Sequence, residues 1–283
     1  MADRFTGKLT DEFGTPKNPA TEETLEQVQD NTLLDSYTRG AFELDDGIRL
    51  LVTSGKNPRV KANGNRQLVS EVFFGHPSEG TVYTHSTADV QFFVNSTVAG
   101  DNKTVVVTGW KSDGTAAIGI ATLNGLTQVA LSSTFRYVHI LATVTADPST
   151  GDVYVAESTA IDVNGVPTDA TKVRGFMRQI RQNSFNPILV AEPNKKITFF
   201  DLQGTTDATK DVETGFEVKN AGTNYFKVII ENHIYQNSFN LIRHPSGVLA
   251  AGDVLQITAK TQTENASITQ GFAYLEIDIT IIT

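Results

Sequence analysis

Val90-Gln91-Phe92-Phe93-Val94, Thr104-Val105-Val106-Val107, Tyr137-Val138-His139-Ile140-Leu141, Val153-Tyr154-Val155, Lys196-Ile197-Thr198-Phe199-Phe200 and Tyr225-Phe226-Lys227-Val228-Ile229-Ile230 are short runs of β-branched and aromatic residues. They follow one another from about residue 88 to residue 282. Such side chains suit a pleated, half-buried surface. Turn dipeptides punctuate the runs at Asp113-Gly114, Asn124-Gly125, Asn164-Gly165 and Gly252-Asp253. Helical patterns of any length are missing between them, so the expected fold is all-β, an antiparallel, jelly-roll-like β-sandwich. The strands between Ile118 and Leu131 are expected to form a hairpin around Asn124-Gly125. The absence of an exact internal repeat argues against a β-helix, a propeller or a fibre shaft.

Working outward from that stretch, residues 88–283 read as the main sandwich domain. Residues 41–87 read as accessory strands or a small subdomain, with candidate strands at Arg49-Leu50-Leu51-Val52, Gln67 to Phe74 and Thr81-Val82-Tyr83. Asn63-Gly64 marks a turn there, because both residues tolerate positive φ. Residues 1–40 read as an extended N-terminal arm with a short helix. Gly7, Gly14, Pro16 and Pro19 keep the start extended, and Asn18 or Thr21 can cap a helix whose first turn holds Glu22 and Glu23. Its thin apolar stripe of Leu25, Val28 and Leu33 is marginal alone and needs a surface to pack on.

Composition narrows the functional classes. The chain has 283 residues and no cysteine, so disulfide staples and thiolate metal sites are excluded. Its formal charge of −9 argues against a general nucleic-acid binder, since counterion release needs a basic face. The polar start, Met1-Ala2-Asp3-Arg4-Phe5, lacks the apolar core of a signal peptide, and no later run is long enough to cross a bilayer. A soluble protein made in the cytosol is expected. Charge is unevenly distributed: residues 1–50 hold eleven acidic against five basic side chains, whereas Lys56, Arg59, Lys61 and Arg66 follow with no acid between them.

No constellation in the sequence points to chemistry. His76 and His85 stand near Asp89 but lack the tight spacing of a zinc site. His139 and His233 lie in apolar runs, where a histidine is usually structural. His244-Pro245-Ser246-Gly247 lacks the strand-turn-helix setting of a nucleophile elbow. Phosphate-loop and dinucleotide-binding patterns are missing too. The expectation is a non-enzymatic protein without cofactor. The residues singled out are for partner binding: Leu25, Val28 and Leu33 on the arm, Lys56, Arg59, Lys61 and Arg66 in the basic segment, and Arg174 and Arg178 beside Phe176 and Met177. With Arg181, these last arginines would share a helix face at their spacing, or Arg174, Phe176 and Arg178 would share one side of a strand. An acidic neighbour, such as the arm of an adjacent subunit, would be their natural partner. Tyr83, Trp110, Tyr137, Tyr154 and Tyr235 would make a sugar platform only if several shared an exposed face.

Two stretches carry a family resemblance. Val105-Val106-Val107-Thr108-Gly109-Trp110 is followed by Ala121 to Leu131, containing Thr122-Leu123-Asn124-Gly125, and then by Phe135-Arg136-Tyr137-Val138. The chain closes with Gly252-Asp253-Val254-Leu255-Gln256-Ile257-Thr258-Ala259, a polar turn, and Ala266 to Ile277. This succession resembles virion structural proteins of tailed bacteriophages, especially marine ones, over roughly residues 88–280, with Leu126 standing where threonine is more usual. The resemblance implies a structural role in the particle with no catalytic residues. It further implies contact with a major capsid protein or other virion proteins and self-association, with trimers expected at lattice threefold positions. A head decoration or cement protein is the leading expectation, ahead of a tail or fibre adhesin for host glycans and of a glycan depolymerase.

Overall fold

The computed structural model describes residues 9–10, 16–17, 42–45, 48–76, 79–145, 147–206, 211–235, 247–261 and 265–280. In chain order the first strands are β1 (Leu9–Thr10), β2 (Pro16–Lys17), β3 (Phe42–Asp45), β4 (Ile48–Val60) and β5 (Gln67–Leu68). Next come β6 (Val90–Ser96), β7 (Thr104–Trp110), β8 (Ala116–Thr122), β9 (Val129–Phe135), β10 (Tyr137–Thr143), β11 (Val153–Glu157), β12 (Val173–Met177) and β13 (Asn183–Phe185). The last are β14 (Ile188–Val190), β15 (Lys195–Thr206), β16 (Asp211–Lys219), β17 (Lys227–Tyr235), β18 (Gly247–Leu249), β19 (Val254–Lys260) and β20 (Ala266–Asp278). Every pairing between these strands is antiparallel. Within the stretch read as an extended arm, β1 pairs with β2; the expected helix, with Leu25, Val28 and Leu33, lies outside the described residues.

Two sandwiches result, and the sheets divide the chain differently from the expected break at residues 87 and 88. The first stacks the sheet β13-β10-β7-β8 on the sheet β12-β11-β6-β9. β7 shows why: its residues alternate between half-buried and buried, sending Val105 and Val107 inward. Phe92 of β6 and Phe135 of β9 stack in the core at 5.8 Å between ring centres. The pairings of β6 with β9 and of β7 with β10 skip intervening strands, the Greek-key habit of sandwiches.

The second sandwich stacks β14-β19-β16-β17 on β18-β15-β20-β4-β3. β20 is its spine, held by β15 on one side and β4 on the other. Phe216 of β16 meets Phe272 of β20 in its core at 5.9 Å. β4 and β5 precede the first sandwich in sequence yet belong to the second, so the first sandwich is inserted between two parts of the other.

Other departures from expectation have local causes. β8 and β9 do not form a hairpin within one sheet; the turn between them carries the chain from one sheet to the other. Gly125, at φ 54°, presses on the backbone of Ala99, where a Cβ would come within 2.1 Å of the carbonyl oxygen. The Gly125 N–H donates to Asp101 O at 2.9 Å. Of the strand expected over Gln67 to Phe74, only β5 pairs; turn hydrogen bonds from Phe74 N–H to Glu71 O and from His76 N–H to Phe73 O then close the chain. Thr81-Val82-Tyr83 is not a strand either, because Tyr83 turns inward and donates to Arg174 O at 3.2 Å.

Candidate partner-binding surface

Residues 69–76 and 79–87 run where the two sandwiches meet, and a third apolar cluster fills that junction with Phe73, Tyr83, Tyr137, Tyr154, Phe176 and Ile188. Asn186 locks it. Buried to 3% exposure, it donates to Val138 O at 3.1 Å and Arg174 O at 2.8 Å and accepts from the Ser70 hydroxyl at 2.5 Å. Nothing in the sequence marked Asn186 out, because its importance depends on three segments remote in the chain.

Arg174 belongs to this junction. It was expected on a partner-binding surface, and the structure corrects that: the side chain is 4% exposed. One nitrogen pairs with Glu157 at 2.5 Å and the Nε donates to Ser86 Oγ at 3.1 Å. A guanidinium taken out of water needs such partners, and with them it is a structural group. Burial would raise the Glu157 carboxyl, but hydrogen bonds from Ser86 and Lys172 and the charge of Arg174 overcome that and hold it below the usual range.

His85 is half-buried in the same junction, edge-on to Tyr83 and Tyr137 at 5.0 Å each and beside Phe226 at 5.3 Å. Its Nε2 hydrogen-bonds Gln256 Oε1 at 2.8 Å, and Gln256 in turn donates to Glu217. Burial first, and then the charges of Arg174, Lys219 and Arg136, push its pKa down to about 3. His139 is likewise enclosed, with Nδ1 on Ile188 O at 2.7 Å, and burial lowers it. His76 Nε2 meets Pro167 O at 2.9 Å. Among the described residues no three His, Asp or Glu side chains gather as a metal site would require. No described helix is long and apolar enough to cross a membrane.

The remaining basic residues separate into two groups. Lys56 is exposed on β4 opposite Thr269. Arg66 is absorbed by Glu213 and by Glu231, with Lys260 also on Glu213 at 2.6 Å, so its charge is spent within the second sandwich. Arg59 and Lys61 at the end of β4 and Arg178 just after β12, by contrast, converge from two places in the chain on the turn after β5. Arg59 and Arg178 both stand over the Phe74 ring, at 5.4 and 4.7 Å from its centre. Glu79 pairs with Arg59 at 3.1 Å and Lys61 at 3.0 Å, and Arg181 reaches Glu71 at 3.4 Å. Four cations therefore meet two acids around a half-buried aromatic ring, with Arg59 and Arg181 nearly half exposed. The cavity beside this rim measures about 10 Å³, room for one water, so the feature is a surface and not a small-molecule pocket.

The aromatics are less available. Tyr83, Tyr137 and Tyr154 are buried, and half-buried Trp110 donates to Glu192 at 3.3 Å. These four do not form an exposed platform.

No family model matches the chain, and no curated protein matches it. Among solved structures, one of infectious bursal disease virus, Gt strain, aligns at 11% identity over 88% of this chain and 77% of that chain, with a TM-score of 0.23. The infectious bursal disease virus VP2 subviral particle gives 12% identity over 88% and 77%, with a TM-score of 0.18. The vicilin of Solanum melongena gives 11% over 82% and 75%, with a TM-score of 0.11. Scores this low carry no argument about role.

Proposed function

We propose that this chain is a non-enzymatic structural protein of a virus particle, a decoration or cement protein that binds a head lattice. The observation that carries the reading is the rim around Phe74. On a chain of net charge −9, Arg59, Lys61, Arg178 and Arg181 form a local excess of positive charge with a cation–π centre. The acid-rich first fifty residues have the opposite sign. An acidic segment of a neighbouring subunit in the particle is the occupant whose charge matches, and electrostatic pairing of this kind sets register and encounter rate. The resemblance of residues 88–280 to phage virion proteins supports the setting. The sandwiches serve as rigid bodies that hold the rim in place.

The test mixes purified protein with particles lacking it and locates the added density by cryo-electron microscopy. Regular density over the head is expected for the full chain. Loss of occupancy is expected for the chain lacking residues 1–40 and for Arg59→Glu combined with Arg178→Glu, both remaining folded. Density confined to the tail, or unchanged occupancy in these variants, overturns the reading.

A further inference from the structure

The strands β7, β8, β10 and β13 contain no Asp, Glu, Lys or Arg, in a chain where 19% of residues are charged. Burial explains the inward half of that pattern but not the outward half. Register sets Ile118 of β8 level with Thr108 of β7, Ile140 of β10 and Phe185 of β13. One step along, Ile120 is level with Val106 and Ala142. Two uncharged, mainly apolar rows thus cross the outer face of this sheet. Ile118 and Ile120 are 56% and 49% exposed, against the rule that a solvated strand face turns polar.

We infer that this face is the contact between two copies of the chain, packed sheet against sheet about a twofold axis. In such a contact each patch meets itself, so any net charge on it would repel its own image. A neutral face is where two copies of a chain carrying −9 can meet with least repulsion, whereas a basic partner would be drawn to acidic surface elsewhere. Strand addition along β8 is not the route: the Ile120 N–H donates to Ser132 Oγ at 3.0 Å and Ser133 Oγ donates to Ile118 O at 2.7 Å, so that edge is already occupied by β9. Four strands of at most seven residues offer roughly 19 by 23 Å, on the order of 440 Å² per copy. That is about half of what a stable free dimer buries per partner. The contact is therefore weak in free solution and forms fully where a lattice already holds copies close together. In this respect the inference rests on the assembly role proposed above.

Sedimentation velocity of the full chain, from about 5 to about 500 μM, spans the range over which an interface of this size dissociates. The wild type is expected to shift from monomer toward dimer. Ile118→Glu combined with Ile120→Glu, at exposed positions that leave the core intact, is expected to stay monomeric with an unchanged circular dichroism spectrum. Val248→Glu, 55% exposed on β18, is expected to dimerise like the wild type. A double variant that associates as strongly as the wild type overturns the inference. So does a wild type that stays monomeric, including one that instead floats with lipid vesicles. A chain that dimerises through this face yet leaves particles bare sustains the inference and overturns the assembly role.

Discussion

At the scale of single residues, His85 makes the junction sensitive to acid. The unfolded chain takes up a proton at the ordinary histidine value of 6.5, while the folded protein refuses it until about 3. Between pH 6.5 and about 3 each falling pH unit therefore favours the unfolded state, by up to about 1.4 kcal/mol for this one group. The Glu157 carboxylate acts in the same sense, since its depressed folded pKa means stability is lost as acid protonates it. Urea midpoints are expected to fall steadily from pH 6.5 to pH 4, and to fall less steeply in His85→Gln. Equal slopes in the two proteins would exclude His85 as the source. The histidine reads as structural for a reason invisible locally: its enclosing rings, Tyr137 and Phe226, stand far along the chain.

At the scale of elements, the turn from β8 to β9 decides whether the first sandwich closes. Ser96 N–H donates to Gly125 O at 2.8 Å, so the turn is bonded both to the end of β6 and to the segment that follows it. A side chain at Gly125 meets positive φ and the Ala99 carbonyl together. Gly125→Ala is expected to destabilise the protein by about 1–3 kcal/mol, with faster hydrogen exchange at the Ser96 and Gly125 amides. Unchanged stability would mean the turn can relax away from Ala99. Asn124-Gly125 announced a turn correctly, but the dipeptide is equally compatible with a hairpin and with a crossing between sheets. The choice was made by Ala99 and Asp101. The segment after β5 shows the same limit: Val69 and Val72 read as strand, yet the chain turns there, with Phe74 N–H on Glu71 O and His76 N–H on Phe73 O.

At the scale of the molecule, the two sandwiches share the Tyr137, Tyr154 and Phe176 cluster and exchange chain through β4 and β5. Shared burial of that kind couples unfolding. Calorimetry of the wild type is expected to show one transition. Tyr154→Ala removes a ring 5.0 Å from Phe176, should cost about 3–5 kcal/mol, and should split the transition into two. A wild type already showing two separate transitions would mean the junction does not couple them.

The sequence by itself determined the strand-rich character of the chain, many of its turns, the lack of cysteine and the uneven charge. Each of these depends on composition or on neighbours within a few residues: alternation along a strand, a residue able to take positive φ, a count of acids. Tertiary structure alone decided that β4 pairs with β20, that Arg174 is buried while Arg59 and Arg178 share one ring, and that the uncharged strands lie side by side in one sheet. The reason is that strand pairing and burial are settled between segments as distant as Ile48 of β4 and Ile277 of β20, where one β-rich run is chemically much like another until the core selects its partner.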